Sequence, residues 1–562
     1  MTDEPMIEQG EATPPQSRNR WIGMALLSVG VAMIIVDATI VNVAIPSIIR
    51  DLKIPITTAE WVNTMYALVF AALLIAVGRV GDLVGRRKMF AIGIALFVVA
   101  SMLAGIAPSG AVLLAARFLQ GVGGAIILPS TLSSVNAIFR GRERAIAFGI
   151  WGSVIGGMAA FGPLLGGWLT TAASWRWAFY INLPIGLVVL LGTFRFVPET
   201  RDEHAVLGFD LGGVLTSAVG LGLLVFGLIE GQTYGWWRPD REFHVGPVNW
   251  NVDGISPIPV AFVLSAVLLA AFLVIESRRR AAGKVVLLDF ALFRIKAFRY
   301  GNIAALIVSL GELGLIFVLP LFLQSVLGYS ALRTGEELMF LAAGAFVAGP
   351  IAAQFALRFG SRPVVAIGMA TEAAAIALIG VVLSTTVTGP ELAPFLFLYG
   401  LGVGLATAQL TNVILVDVPQ RESGQASGTQ STFRQVGSAL GIAILGTILV
   451  VTLGSQTRAR LSEVPMLPLQ AVDGISTAVQ DSAGAILTNP CSFAPNPTQC
   501  TPDTVKPIVD PIREAFVAAA KRVAAVGTIF VLGGVVATLL LPKRPPIGRE
   551  RAEAAGGPST DL

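Results

Sequence analysis

Polar residues punctuate this chain between long apolar runs. The runs lie at roughly 22–46, 59–79, 88–107, 111–132, 145–170, 176–197, 210–230, 258–278, 300–326, 336–357, 363–384, 393–415, 430–454 and 518–541. About 20 apolar residues are needed for an α-helix to cross some 30 Å of hydrocarbon. The pattern therefore predicts an all-α polytopic membrane protein of fourteen spans. Lys and Arg gather at alternate junctions: "GRRK" after the second run, "RGRER" after the fourth, Arg195 and Arg201 after the sixth, and seven Lys or Arg between Arg278 and Arg299. Arg358 and Arg362, Arg421 and the terminal "PKRPPIGRER" fall on the same side. By the positive-inside rule these loops, and both termini, are expected in the cytoplasm of a cell whose inner or plasma membrane holds the chain. The first twenty residues start acidic and lack a basic n-region, so they read as a cytoplasmic tail, not a signal peptide.

Composition agrees with that solvent. Hydrophobic residues make up 54% of the 562 and charged residues 13%, against about a quarter charged in soluble domains. A net charge of +4 reflects the loop bias and does not call for nucleic acid. A weak repeat, "GRVGDLVGRRK" (78–88) after the second span and "LRFGSRP" (357–363) after the tenth, suggests a duplicated bundle. The expected layout is a tail (1–20), a six-helix bundle (21–200), two inserted helices with an amphipathic linker (205–298), a second six-helix bundle (299–542) and a tail (543–562). The linker segment "VVLLDFALFRIKAF" (285–298) either lies along the inner membrane surface or is a plain connection. The second bundle carries a long external loop, 455–517, holding Cys491 and Cys500; outside a reducing cytosol these form a disulfide or remain two free thiols. No metal site is expected, because His204 and His244, the only histidines, fall on opposite sides of the membrane.

The informative residues are those that cost energy in such a setting. An ionisable group at the centre of a span costs about 2.5–3.5 kcal/mol on insertion scales, so it marks a pathway or coupling residue by default. Asp37, Arg117, Glu312 and Glu372 qualify; Glu230, Asp417 and Arg434 lie nearer span ends, where snorkelling accounts for them. Arg117, Gln120, Gly121, Gly124 and Leu128 share one helical stripe. A guanidinium on a glycine-paved face either tunes a nearby carboxylate or bonds backbone carbonyls. Glu312 has no positive residue within ten positions on either side. It is therefore either protonated or facing a wet cavity, as suits a proton carrier or a receptor for a cation. In the fifth run Gly149, Ser153, Gly156, Ala160, Pro163 and Gly167 form a small-residue stripe, and Pro163 between Gly162 and Gly166 should bend the helix.

These motifs together resemble the major facilitator superfamily, and within it the fourteen-span drug/proton antiporters of the EmrB/QacA type. "VDATIVNVAIP" is similar to that family's first-helix signature, with Asp37, Thr39, Asn42 and Pro46 at matching places. "GRVGDLVGRRK" is similar to the gating loop, mapping onto Gly78, Asp82, Gly85, Arg86 and Arg87. "RFLQGVGG" resembles the fourth-helix motif whose arginine, here Arg117, handles protons; "GPLLGG" resembles the antiporter motif, here Gly162, Pro163, Gly166 and Gly167, with Met158 where a glycine is usual. The resemblance implies a monomeric, proton-coupled exporter of amphipathic or cationic small molecules, with Asp37 and Arg117 in coupling and Thr39 and Asn42 tuning the hydration of Asp37; a coupling role for Glu312 lies outside the shared motifs and rests on its burial in a span. The resemblance also implies a latch in which Asp82 caps or pairs at helix ends and both arginines bridge the half-bundles. Candidates for the substrate cavity are Asn42, Gln120, Glu312, Gln324 and Glu372. No cofactor beyond the proton gradient is expected, since Gly283–Lys284 runs into Val285 and forms no phosphate loop. Two alternatives stand beside it: export or flipping of a lipid or endogenous metabolite, and a non-transporting receptor or scaffold.

Overall fold

The structure is a computed structural model that describes residues 15–201, 208, 210–245, 248–252, 254–465, 467–488, 491 and 502–542. The first half comprises α1 (Pro15–Leu52), α2 (Ile56–Val84), α3 (Arg86–Gly105), α4 (Gly110–Ile138), α5 (Gly141–Ala172), and α6 (Trp177–Tyr180) with α7 (Asn182–Phe196), which run on as one span. Next come α8 (Leu211–Tyr234) and α9 (Pro257–Ala281), joined through an antiparallel hairpin of β1 (Phe243–Val245) and β2 (Val248–Trp250). The second half comprises α10 (Lys296–Ser325), α11 (Ala331–Phe359), α12 (Ser361–Val382), α13 (Gly389–Leu415), α14 (Ser423–Leu461), α15 (Leu469–Asp481) and α16 (Pro502–Thr538). Thirteen of these spans are unbroken; α5, bent by 42° between Ala159 and Phe161, makes fourteen. The bend lies where Pro163 removes a backbone donor and crowds the carbonyl one turn earlier. The membrane part is thus all-helical, as the hydropathy predicts, and the hairpin is an addition outside it.

Local chemistry sets the helix ends. Asp210 accepts from the Gly213 N–H to cap α8, Ser256 caps α9 ahead of Pro257, and Thr388 with Glu391 forms a reciprocal capping box on α13. The two repeat loops share one device: Gly85 (φ 116°) joins α2 to α3, and Gly360 (φ 84°) joins α11 to α12. Both lie in the positive-φ region that only glycine enters without strain.

Hydrocarbon offers no hydrophobic drive between helices, so close backbone approach supplies the association. A Cβ on Gly400 of α13 would stand 1.9 Å from the Leu341 carbonyl oxygen of α11; one on Gly344 would stand 2.1 Å from that of Phe397. Gly437 and Gly441 of α14 similarly meet the carbonyls of Leu306 and Leu310 on α10.

Two segments add to the expected layout. The stretch 455–517, read as a loop, is helical over most of its described part: α14 runs on to Leu461, α15 lies within it, and α16 starts at Pro502. At 1.5 Å per residue α14 and α16 are each about 55–60 Å long, well beyond the bilayer core. They are tied by the Arg460–Glu514 ion pair (2.5 Å), while Arg458 holds Asp473 of α15 (2.9 Å). The linker after α9, for which a surface helix and a plain connection were both open, turns apolar side chains into the protein. Leu287, Leu288 and Leu292 are buried in the protein, and the Asp289 N–H donates to the Gln425 side chain of α14 (2.9 Å).

The inserted α8 fills the seam between α2 and α14. Thr64 donates to Glu230 (2.8 Å) and Trp61 to the Tyr234 hydroxyl (3.1 Å), while Gln232 donates to the Ala443 carbonyl (3.2 Å). Glu230 is therefore buried among protein groups and does not snorkel.

Gly400→Ala is expected to lower the stability of the detergent-purified protein by about 1–3 kcal/mol, the cost of overpacking a tight contact. Gly533→Ala, on α16 where an added Cβ meets nothing within 4 Å, should be neutral or slightly stabilising. Thermal unfolding of the two variants side by side checks this; equal shifts would refute the packing argument.

Candidate functional site

Asp37 on α1 and Arg117 on α4 form an ion pair at 2.5 Å, both side chains fully shielded. The second carboxylate oxygen accepts from Gln120 (2.9 Å) and Asn182 (3.1 Å), and both amides also donate to Ser101 (2.8 and 3.2 Å). Arg117 donates besides to the Val62 carbonyl (2.9 Å) and lies 4.3 Å over the Tyr66 ring, whose hydroxyl donates to the Ile34 carbonyl. Five helices, α1, α2, α3, α4 and α7, thus converge on one carboxylate. The two readings of Arg117 are both realised, since it holds a carboxylate and a backbone carbonyl at once.

The supporting polar shell is not the expected one. Thr39 donates to its own helix, at the Ile35 and Val36 carbonyls, and exposed Asn42 accepts from Asn63. Neither bonds Asp37. Its amide partners are Gln120, which the stripe had marked, and Asn182, which sequence reasoning missed. An asparagine opening an apolar span was the available signal.

A second cluster joins the halves on the side of the basic loops. Asp82 on α2 accepts from the N–H groups of Gly424 (2.8 Å) and Gln425 (3.0 Å), the open N-terminal donors of α14. A carboxylate there satisfies orphan donors and faces the positive end of the helix dipole. Arg86 bonds Asp82 (2.7 Å) and also the Gln420 carbonyl (2.7 Å), while Asn136 of α4 donates to Ser423 (2.8 Å). The approach requires glycine: a Cβ on Gly78 would stand 2.3 Å from the Gly424 carbonyl oxygen. Arg87 departs from expectation. It does not bridge the halves but pairs with Glu199 (3.7 Å), with the Val197 carbonyl accepting as well, both from the exit of α7; Glu199 also fills the space beside Gly85.

On α5 the small residues divide between α1, α11 and α13, where Gly152 meets Ala408. Gly162 and Gly166 receive Thr39 and the Ile40 carbonyl of α1, while Gly149 and Gly167 face Gly349 and Leu332 of α11. Pro163 sits at the bend between them.

In the second half Glu312 on α10 pairs with Arg434 on α14 at 3.6 Å. The absence of a nearby cation in sequence was therefore no guide to its surroundings, and Arg434, assigned to snorkelling, is turned inward. The Tyr399 hydroxyl of α13 donates to the Glu312 carbonyl (2.6 Å). Glu372 on α12 is fully enclosed and, like Gln120, lines no open cavity; Gln324 is half-buried near the end of α10. An open cleft of about 450 Å³ lies elsewhere, between α14 and α16, lined by Ile448, Val451, Arg522 and Val526 among others. None of the five cavity candidates lines it. Cys491 is not a free thiol, and Cys500 lies outside the described residues.

With this geometry in view, sequence comparison places the chain. The profile of the Major Facilitator Superfamily matches residues 27–442, and the chain belongs to that superfamily. A puromycin resistance protein of Streptomyces alboniger is 33% identical over 86% of this chain and 92% of its own length. A tetracenomycin C resistance and export protein of Streptomyces glaucescens is 32% identical over 80% of each. The multidrug transporter protein MdtP of Bacillus subtilis is 28% identical over 92% of each. In fold the chain is similar to the human organic anion transporter MFSD10 (TM-score 0.53, 13% identity, 92% of this chain and 100% of that one). It is also similar to the proton:xylose symporter XylE (TM-score 0.51, 13% identity, 84% and 95%). The chain is accordingly a multi-pass membrane transporter and not an enzyme.

Removing one partner of a buried pair leaves an uncompensated charge at about 3–5 kcal/mol. Arg117→Gln and Asp37→Asn should each destabilise the detergent-solubilised protein on that scale, and the double variant by less than their sum. A thermal double-mutant cycle checks this; simple additivity would show that the pair is not coupled. Asp82→Ala should loosen the α2–α14 contact, raising the rate at which a thiol reagent modifies Ser423→Cys by at least about tenfold, a loss on the scale of one charge-assisted hydrogen bond. An unchanged rate would remove Asp82 from the latch.

Proposed function

We propose that the chain exports amphipathic or cationic small molecules, drugs among them, in exchange for protons, as a monomer whose basic loops and termini face the cytoplasm. The observation that carries the coupling part is the Asp37–Arg117 pair. It is a carboxylate shielded from water and held by a guanidinium and two amides, all of them groups that lose their purpose when the acid takes a proton. The relatives named for drug resistance and export support the cargo class.

Function follows from two states of these contacts. With the Asp82 latch made, the halves are closed on the cytoplasmic side. Opening that side takes α14 away from Asp82 and Arg86, breaking charge-assisted bonds of about 1.5–3 kcal/mol each before replacements form. One proton falling through 100 mV releases about 2.3 kcal/mol. One proton thus supplies about the free energy of one such bond, so the latch can open only as replacement bonds form. Protonation of Asp37 neutralises it, frees Arg117 to rely on the Val62 carbonyl, and lets α1 move relative to α4.

A lipid or endogenous metabolite is the alternative cargo. The cleft between α14 and α16, apolar but for Arg522 and two threonines, is the feature in its favour.

Sealed inverted vesicles, acidified inside, test the proposal by following internal pH and uptake of a lipophilic fluorescent cation. Wild type is expected to take up the cation while dissipating the gradient, and Asp37→Asn to lose at least about 90% of that exchange. A gradient indifferent to the cation would overturn the drug reading, and one discharged by added lipid would install the alternative.

A further inference from the structure

α14 and α16 touch at two levels and part between them. On the side of the membrane opposite the basic loops Arg460 pairs with Glu514 (2.5 Å), and deeper in the bilayer an added Cβ on Gly527 would lie 3.8 Å from the Leu445 side chain. The cleft of about 450 Å³ lies between these contacts. Ile448 and Val451 of α14 face Ala525 and Val526 of α16 across it, and Arg522 is the only charged residue in its walls. The Thr447 hydroxyl, also at the wall, donates to the Ala443 carbonyl of its own helix (2.7 Å). Both helices belong to the second half, and Val451, 57% exposed, sets the cleft on the protein's surface and not between the halves. Arg522 is also distinguished by its charge environment. Of the four arginines between residues 455 and 522, Arg458, Arg460 and Arg513 pair with Asp473, Glu514 and Asp510. Among the described residues no carboxylate pairs with Arg522 or with Lys521 before it, and both are exposed. Toward the cytoplasmic end of α16 one apolar face then turns outward: Ala525, Ile529, Leu532 and Val536 follow Arg522 at spacings of 3, 7, 10 and 14, a single helical stripe. Ile529, Leu532 and Val536 are 65%, 48% and 63% exposed. At 1.5 Å per residue the stripe runs about 21 Å into hydrocarbon.

We propose that this cleft seats one anionic phospholipid of the leaflet opposite the basic loops, its phosphate on Arg522 and an acyl chain laid into the cleft and along the exposed stripe of α16. Three features select this occupant. A guanidinium gives a phosphate a fork of donors and a permanent charge. Arg522 lies about 24 Å along α16 from Thr538, near the far edge of a hydrocarbon core about 30 Å thick, so its long side chain reaches headgroup level. The apolar stripe in line beneath it suits a molecule that joins an anion to a long hydrocarbon chain. In the alternative cargo reading a lipid passes through; here the lipid stays, and the seat stands whichever cargo is exported. Its consequence is mechanical. α14 carries Gly424 and Gln425 of the latch near its start and one wall of the cleft toward its other end, so a bound lipid braces that helix against α16 far from the latch.

Native mass spectrometry of the full chain in detergent, titrated with phosphatidylglycerol or with phosphatidylcholine of the same acyl chains, tests this without any cargo. Wild type is expected to hold one phosphatidylglycerol at least about tenfold more tightly than phosphatidylcholine, the scale of one charge-assisted hydrogen bond. Arg522→Gln should lower the affinity for phosphatidylglycerol by about that factor and leave phosphatidylcholine unchanged. Val451→Trp fills the cleft, keeps the charge and should weaken both lipids. Both positions are exposed, so the lipid-free unfolding midpoint of each variant should match wild type; the two act by different means, and either decides alone if the other fails to fold. Binding of phosphatidylglycerol that ignores Arg522→Gln or Val451→Trp would overturn the proposal. Thermal protection by inorganic phosphate equal to that by phosphatidylglycerol would also overturn it, assigning Arg522 to a soluble anion. The two readings fail separately: a silent vesicle assay with the lipid preference intact sinks cation exchange alone, and an active vesicle assay with no lipid preference sinks the seat alone.

Discussion

A charge held among transmembrane helices has to be neutralised where it stands, because neither lipid nor packed side chains can solvate it. The polar architecture of this protein follows from that constraint. Asp37 is balanced by Arg117, Glu312 by Arg434, and Asp82 by Arg86 together with the N-terminal dipoles of α14. Each pair is a different way of neutralising a charge that water cannot reach. Glu372, fully enclosed on α12, has no hydrogen-bond partner on either carboxyl oxygen.

The same medium dictates how the helices associate. Glycines on α5, α13 and α14 bring backbones within reach of one another, so the contacts that hold the halves together are short and easily misfitted. The inserted segment is part of this mechanism. Gln425 gives its N–H to Asp82 and receives the Asp289 N–H on its side chain, so the linker after α9 and the latch share one residue at the start of α14. On the opposite half of the same seam α8 bonds both α2 and α14. Any motion of α14 away from α2 has to take account of α8 and of the linker together.

Hydropathy made the spans legible because each needs only length and apolarity. The glycine-proline stripe of α5 announced its bend, and Arg117 on a glycine-paved face announced a close partner. Azimuth was the missing quantity. Depth along a helix can be counted, but which neighbour a side chain faces depends on how fourteen helices pack. For that reason Arg434 and Glu230 looked like snorkelling residues and are turned inward. Thr39 and Asn42, near Asp37 in sequence, turned elsewhere, while Asn182 and Ser101 from distant spans reached it. The stretch 455–517 was read as loop because it is polar; α14 and α16 continue through it on packing and ion pairs, beyond the reach of a hydropathy window.

Neither charged pair bridges the halves: Asp37–Arg117 lies within the first and Glu312–Arg434 within the second. On the proton-coupled reading, a proton taken up by Asp37 therefore cannot act by cutting an interface, and has to act by changing the shape of one half. In the first half a physical path for such a change is short. Thr39, two residues beyond Asp37, is the group that Gly162 of α5 accommodates, and Gly162 stands beside the 42° bend. The glycines of α5 on either side of that bend, Gly149 and Gly167, rest on Gly349 and Leu332 of α11 in the other half. On that reading, a displacement of α1 would reach the bend of α5 first and the half-to-half contact next. That sequence of contacts explains why a small-residue stripe and a proline are useful on a helix that carries no charge in its membrane part.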